Sequence, residues 1–543
     1  MCGRPIIQVR ELSGHPIEER RMKMLTIRLI RESGMPASGE ELRSLYASDR
    51  DYVPYKRKSN IDAEGTIELE IPESPVILHA KITIPGYCGG MWVTSDNCGQ
   101  GYADGDHVDF IHDAAESRVR EVHEVIEGGE FKPSVKCLSM LRDAETLLKL
   151  GEANPAKGPA YHMASLGAGM WSGELAAVER AQARIEKNGK RNDILFGAGG
   201  FHYPYDGWEG NLNGAHQVRY KGLPDMKANY DSIFNYTTLP FYLAMREPVY
   251  GKPDFRYLDH LQDAFTEAGI TTKGHPLWWA HTAGMPEWTR SLRYEDGSLK
   301  REIKRTISTT VEHFRGRTRY YDAINENHDW CNSYNLTQDQ QTDITKYTVD
   351  CIHETDPDAR AVVNTCFMFG ENAADGRTQW GPSWERNLVP YTAIEKLEEL
   401  GSDYEAIGMQ LYNPARDMLA IDKLYDRFAK FGRRIHLTEL GVPSFMTELP
   451  PDTTPGDVYC LGYMYHGLWH EMGWNERLQA DWIEQFYTIT YSHPQVEAIT
   501  MWSMEDPGYV PASGLFTDEF EPKEAFFRLR ELERSWGFDF GDK

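Results

Sequence analysis

Glu326 closes the apolar stretch "YYDAINE" (320–326), and Glu439 stands in a second one, "HLTEL" (436–440). A carboxylic acid at such a place is either the polar start of a loop or an acid presented to a substrate. Taken singly, each is better read as the loop start, because loop-start acids are common. Taken together they have the residue types needed to break a glycosidic bond. One carboxyl protonates the leaving oxygen while the other attacks the anomeric carbon or activates water. The two are 113 residues apart, so only a closed architecture brings them face to face. If both point inward at short separation, a retaining double displacement follows, with Glu326 as acid/base and Glu439 as nucleophile. Asn325 would then be placed to hydrogen-bond the sugar 2-hydroxyl, a contact that strengthens in the transition state.

The elements that must hold this pair are legible from residue 194 onward. Short apolar runs alternate there with helical patterns such as "FRYLDHLQDAFTEAG" and "DMLAIDKLYDRFAKF". The expected strands are 194–201, 232–238, 271–279, 319–326, 360–368, 406–412, 434–440 and 498–504. Eight strands separated by helices predict an α/β fold, a (β/α)8 TIM barrel. In that fold active sites lie at the C-terminal strand ends. Those ends carry Phe201, Thr238, His275 to Trp279, Asn325 and Glu326, Asn364, Gln410 to Tyr412, Glu439 and Trp502. Amides, aromatics, one histidine and two carboxylates suit sugar binding. A nucleophilic Ser or Cys triad and a phosphate loop are both missing from the set.

Ahead of the barrel (191–543) the reading places an N-terminal tail (1–22), a β-rich region (23–110) and a helical connector (111–190). Alternation and Pro/Gly punctuation mark the β-rich region, and 3.6-residue periodicity marks the connector. Trp92 and Tyr102, among turn residues, look exposed and could serve a carbohydrate-binding module. The structural alternative, a cap on the barrel, is preferred because no ligand motif accompanies them.

Lys and Arg total 58 against 83 Asp and Glu, a net charge of −25. That field repels phosphate backbones and anionic lipid, so neither nucleic acid nor a membrane is expected as a partner. The expected partner is a carbohydrate substrate, and 14 Trp with 29 Tyr supply rings to stack on sugar faces. Eight scattered cysteines form no CxxC pair. Cys88 and Cys98 are close enough in sequence to pair, with the reduced state as the plainer reading. No cofactor or metal is implied. The first residues lack the apolar core of a signal peptide, so the chain as written reads as cytoplasmic, or as secreted or periplasmic if a leader was removed.

The ordered motifs resemble glycoside hydrolase family 10, the retaining endo-β-1,4-xylanases built on a (β/α)8 barrel. "YYDAINE" is similar to the family's acid/base strand and "HLTEL" to its nucleophile strand. "KGHPLWWAH" (273–281) is similar to its Gly-His-x-Leu-x-Trp strand, which implies substrate-binding roles for His275 and Trp279. "AVVNTCF" brings Asn364, "IGMQLY" brings Gln410, and "MWSM" brings Trp502. The likeness is read over about residues 190–535. Several positions depart from it. The family's E-N-x-x-K after strand two falls, by offset, on Pro240, Phe241 and Ala244. Its His two residues after the Gln is Tyr412, and its Asp two residues after the nucleophile is Gly441. Its His after the Trp is Ala280, with His281 one step on. Tyr412 could donate its hydroxyl to Glu439 and hold it ionised. The resemblance therefore implies conserved bond cleavage with altered sugar recognition, Phe241 and the tryptophans favouring apolar sugar faces. The alternative is a barrel that binds carbohydrate without cutting it.

Two weaker signals are better read structurally. "HGLWHE" places His466 and His470 at zinc-ligand spacing, but no third ligand is evident and a helix face is preferred. "GAGG" (197–200) lacks nucleotide-loop spacing and reads as a sharp strand exit.

Overall fold

The computed structural model describes residues 23–72, 75–200, 224–327, 331–375, 377–378, 381–382, 388–412, 415–446, 469–470, 473–506, 508, 510 and 512–541. Phe201 and His466 lie outside them.

The N-terminal region contains β1 (Lys23–Arg28), β2 (Tyr46–Ser48), β3 (Ser59–Ile61), β4 (Thr66–Ile71), β5 (Ile77–Ile84), β6 (Cys88–Ser95) and β7 (His107–Asp109). They form a four-stranded sheet in the order β3-β4-β1-β7 and a three-stranded sheet in the order β2-β5-β6. Alternation explains the first sheet. Ile67, Leu69 and Ile71 of β4 point inward beside Leu25 and Ile27 of β1, while Glu68 faces solvent. Three long helices follow, α1 (Phe110–Glu127), α2 (Val135–Ala153) and α3 (Gly158–Asn188).

The barrel strands are β8 (Leu195–Gly199), β9 (Tyr236–Pro240), β10 (Thr271–His275), β11 (Tyr320–Asn325), β12 (Arg360–Thr365), β13 (Ala406–Tyr412), β14 (Arg434–Gly441) and β15 (Val496–Met501). They close in sequence order, all neighbours parallel. Every residue of β11 and of β13 is buried, as strands covered on both faces must be. The covering helices include α4 (Arg256–Glu267), α5 (Ser298–His313), α6 (Gln338–Thr355), α7 (Pro390–Glu399), α8 (Met418–Ala429), α9 (Glu476–Ser492) and α10 (Glu524–Ser535). Each turns an apolar stripe inward, such as Leu258, Leu261 and Phe265 of α4. A capping box of Thr337 and Gln340 starts α6.

The two largest differences from the expected strand bounds, four residues each, have clear causes. The run around Ile233 and Phe234 is apolar because it is buried, but the Phe234 amide still bonds to the Tyr230 carbonyl in a helical turn, so β9 begins only at Tyr236. The stretch 271–279 stops being strand at His275, since Pro276 has no amide to continue the ladder.

The N-terminal region is seated on the barrel. One continuous apolar core runs from Leu25 to Phe538. Arg118 of α1 forms a bidentate ion pair with Asp417 at the start of α8, at 2.8 and 3.1 Å. Arg180 of α3 pairs with Asp422 of α8. Trp92 and Tyr102 are not exposed platforms. Trp92 is 6% exposed, edge-on to Tyr46, and its amide donates to the Ala415 carbonyl at 2.9 Å. Tyr102 is buried, with its hydroxyl donating to Asp113 at 3.1 Å. Both rings are consumed in joining layers, which overturns the sugar-platform reading. Cys88 and Cys98 are free thiols. Among the described residues no helix is long and apolar enough to cross a membrane.

Candidate active site

The strand register assembles the site. Asn325 at the end of β11 lies opposite Asn364 of β12, and Gln410 of β13 lies opposite Glu439 of β14. Glu326 follows directly, with φ +54°, a left-handed backbone that costs a non-glycine residue about 1–3 kcal/mol. Two backbone bonds hold it there. Its amide donates to the Asn364 carbonyl and its carbonyl accepts from the Cys331 amide, both at 3.1 Å.

A single chain of hydrogen bonds joins the two glutamates. Gln410 Nε2 donates to Glu326 Oε1 at 2.8 Å and to Asn325 Oδ1 at 3.2 Å. Asn364 Nδ2 donates to the same Asn325 oxygen at 2.8 Å and to Glu439 Oε1 at 2.9 Å. Thr438 fixes the Asn364 amide by donating to its Oδ1 at 2.6 Å. Gly408 makes room for this arrangement, since a Cβ there would stand 2.9 Å from the Asn364 Cα and 3.0 Å from its Oδ1. With its oxygen occupied twice, Asn325 offers a substrate its Nδ2 donor.

The other oxygens are held too. Tyr412 donates its hydroxyl to Glu439 Oε2 at 2.6 Å. Trp279 Nε1 and Cys331 Sγ each donate to Glu326 Oε2 at 3.1 Å. His275 turns Nδ1 to Asp322 at 2.6 Å and brings Nε2 to 3.9 Å from Glu439 Oε1. Lys273 Nζ contacts the same Asp322 oxygen at 2.8 Å. Burial alone raises the Asp322 carboxyl, but Lys273 and His275 bring it below the usual value. Trp502 stands edge-on to His275 at 5.0 Å.

Glu439 behaves differently. Burial pushes its pKa up to about 7; the Glu326 charge adds to this, and His275, Tyr412 and Asn364 only partly oppose it. Tyr412 therefore does make the expected bond, but desolvation outweighs it.

All nine residues expected at the site (Glu326, Glu439, Asn325, His275, Trp279, Asn364, Gln410, Tyr412 and Trp502) lie at the C-terminal end of the barrel strands or just beyond it. Phe241 does not join them. It is fully buried against Phe314 and Tyr321 in the layer between strands and helices. Its neighbour Tyr242 faces the site instead, 5.6 Å from the His275 ring and 5.8 Å from Trp279. Tyr242, Cys331, Asp322 and Lys273 were missed. The last two carried a signal, charges inside apolar strands, where a buried charge requires a partner. Among the described residues no group of His, Cys, Asp and Glu is arranged to hold a metal. His470 is stacked on Trp469 and lies 3.4 Å from Glu174, as a packed side chain.

Comparison with known proteins decides the family. The family model of glycosyl hydrolase family 10 matches residues 242–532. The chain belongs to that family. It is a glycoside hydrolase, and the match begins at Tyr242, so β8 and β9 stand outside the matched stretch although they complete the barrel. Endo-1,4-beta-xylanase B of Thermotoga neapolitana is 26% identical over 272 residues, 48% of this chain and 68% of that protein. The Geobacillus stearothermophilus endo-1,4-beta-xylanase is 25% identical over 296 residues, 49% of this chain and 78% of that one. Native xylanase 10B from Thermotoga maritima aligns in structure with a TM-score of 0.45 at 19% identity, covering 64% of this chain and 96% of that one.

Proposed function

We propose that this family 10 hydrolase cleaves β-linked oligo- or polysaccharides related to xylan with net retention, through sugar-binding subsites that differ from those of the xylanases. The observation that supports the reading is the unbroken chain Glu326–Gln410–Asn325–Asn364–Glu439, four hydrogen bonds that link the two carboxyls. Glu439, ionised, attacks the anomeric carbon as the Glu326 proton passes to the leaving oxygen. Glu326, now a carboxylate, takes a proton from the water that releases the sugar from Glu439. The Asn325 Nδ2 is available to the sugar 2-hydroxyl, while Tyr242, Trp279 and Trp502 supply rings beside the pair.

Altered recognition is supported by three features. Pro240, Phe241 and Ala244 bring no polar side chain where the family resemblance implies Glu, Asn and Lys. Tyr412 replaces a histidine at the nucleophile. Gly441 replaces an acid, and a Cβ there would stand 3.2 Å from the Ser513 Cβ and Oγ, so an aspartate could not return without moving Ser513.

The test is a panel of aryl β-glycosides and β-1,4-linked oligosaccharides followed by proton NMR. The expected first product is the β-anomer, and Glu439→Ala removes turnover. An α-anomer as first product would overturn retention. Saturable sugar binding without turnover, unchanged by Glu326→Ala or Glu439→Ala, would replace hydrolysis with simple carbohydrate binding.

A further inference from the structure

A second cavity lies away from the catalytic frame, where the N-terminal β region meets α8. Its volume is about 380 Å³, and its walls include Arg50, Tyr52, Phe369, Lys423, Arg427 and Lys430. That volume falls within the range of small-ligand pockets, about 300–1,000 Å³.

Four acids and four bases line it, so the formal charges balance, but they are not all paired with one another. Among the lining acids, Asp51 pairs with Lys430, Glu121 with Lys423, and Asp96 with Arg120. Asp426, half exposed, has among the described residues only the His493 ring, at 3.7 Å. Arg50 and Arg427 have no carboxylate in ion-pair contact among the described residues. Arg50 donates to the Gly99 carbonyl at 3.1 Å and is otherwise exposed.

Arg427 is the more telling of the two. It is 9% exposed, yet among the described residues its guanidinium hydrogen-bonds only the Met368 carbonyl, 2.9 Å from Nη2. Its buried Nε has no hydrogen-bond partner among the described residues. The guanidinium lies over the rings of Tyr52 at 4.6 Å and Phe369 at 5.6 Å. Burial, with the Arg416 charge beside it, pulls its pKa down to about 10. Tyr52, the ring beneath it, has φ +64°, a left-handed backbone that is strained for an aromatic residue. Two Asp49 hydrogen bonds, to the Asp51 and Val53 amides at 2.9 Å, keep the loop in that shape. A buried, incompletely bonded guanidinium beside a strained loop costs stability unless something completes its bonds.

We propose that this cavity is a second ligand site, which takes a small molecule bearing one compact oxyanion, a carboxylate or a phosphate, on the Arg427 guanidinium with Arg50 at the rim. The planar fork of arginine matches either oxyanion with two hydrogen bonds, and Tyr52 and Phe369 leave apolar wall for the rest of the molecule. The site is independent of the hydrolytic pair.

Titration calorimetry on the full chain tests this with sodium glucuronate, glucose and inorganic phosphate. Glucuronate or phosphate is expected to saturate one site while glucose does not. Arg427→Met and Arg50→Ala should each weaken that binding at least tenfold, and Glu439→Gln should leave it unchanged. Binding of glucuronate alone assigns a carboxylate ligand, and binding of phosphate alone assigns a phosphate ligand. Arg50 is exposed, so its variant remains informative if Arg427→Met fails to fold. No saturable binding of either anion, equal binding of glucose, or anion binding unaffected by Arg50→Ala would overturn the site.

Discussion

The Tyr412 hydroxyl donates to Glu439 Oε2 at 2.6 Å, a short bond to the carboxylate that must be ionised to attack. It opposes a larger effect, because burial has already raised Glu439 to about 7. Activity should therefore fall on the acid side as Glu439 gains its proton. Tyr412→Phe removes a donor that favours the charged form, so the acid limb of kcat/KM should move to higher pH by about one unit, from a hydrogen bond to a charged group worth roughly 1.5–3 kcal/mol. The loss should be greatest near pH 6 and small near pH 9 (roughly one and two units either side of the limb). An unchanged limb in the Phe variant would separate Tyr412 from Glu439 ionisation.

The same raised pKa bears on stability. Between the ordinary carboxylate range and about 7, native Glu439 keeps a proton that the unfolded chain has released. Native stability attributable to this group therefore falls as pH rises through that window, by about 3 kcal/mol in total. Glu439→Gln removes the ionisation while keeping the shape. Its thermal midpoint should exceed that of the parent at pH 8, and the gap should narrow toward pH 5. A gap independent of pH would locate the destabilisation elsewhere.

Much of this site was legible because (β/α)8 geometry converts sequence order into position. Asn325, Gln410 and Glu439 lie within the last three residues of apolar strands, and strand ends of a closed barrel share one face. Phe241 misled because it stands beside the site in sequence, just past β9, while its ring packs against Phe314 and Tyr321 and Tyr242 faces the site instead. Trp92 misled for a related reason. Turn residues around an aromatic suggest exposure, but the surface beneath it is the barrel loop at Ala415 and Arg416, brought there by more than 300 intervening residues. Cys331 gave no sign, since its contact with Glu326 depends on the left-handed Glu326 backbone, whose carbonyl accepts from the Cys331 amide.

Those contacts make Cys331 a positioning residue for the acid/base. Its Sγ is fully buried and 3.1 Å from Glu326 Oε2. A thiol can donate to the carboxylate and turn away when the acid is protonated, which suits a group that cycles between the two. Cys331→Ala should slow hydrolysis of substrates with poor leaving groups by about tenfold, a fraction of the roughly 10²–10⁴ that general acid catalysis supplies. Dinitrophenyl glycosides, whose departure needs no proton, should react at nearly the parental rate, and Cys331→Ser should recover most of the loss. Equal slowing of both substrate types would mean that the variant disturbs the site as a whole.

The attachment of the N-terminal region to the barrel gives the last test. Arg118 and Asp417 pair bidentately, and the Asp417 side chain is 1% exposed. Arg118→Met keeps most of the volume but strands the carboxylate in the interior, which should cost about 3–5 kcal/mol. The urea midpoint should fall accordingly, while activity of the folded fraction stays near the parental value because neither residue touches the catalytic frame. The double variant Arg118→Met, Asp417→Leu removes the stranded charge as well and should recover most of the lost stability. If the double variant is instead as unstable as the single one, the pair contributes through its own attraction and not merely by neutralising a buried carboxylate.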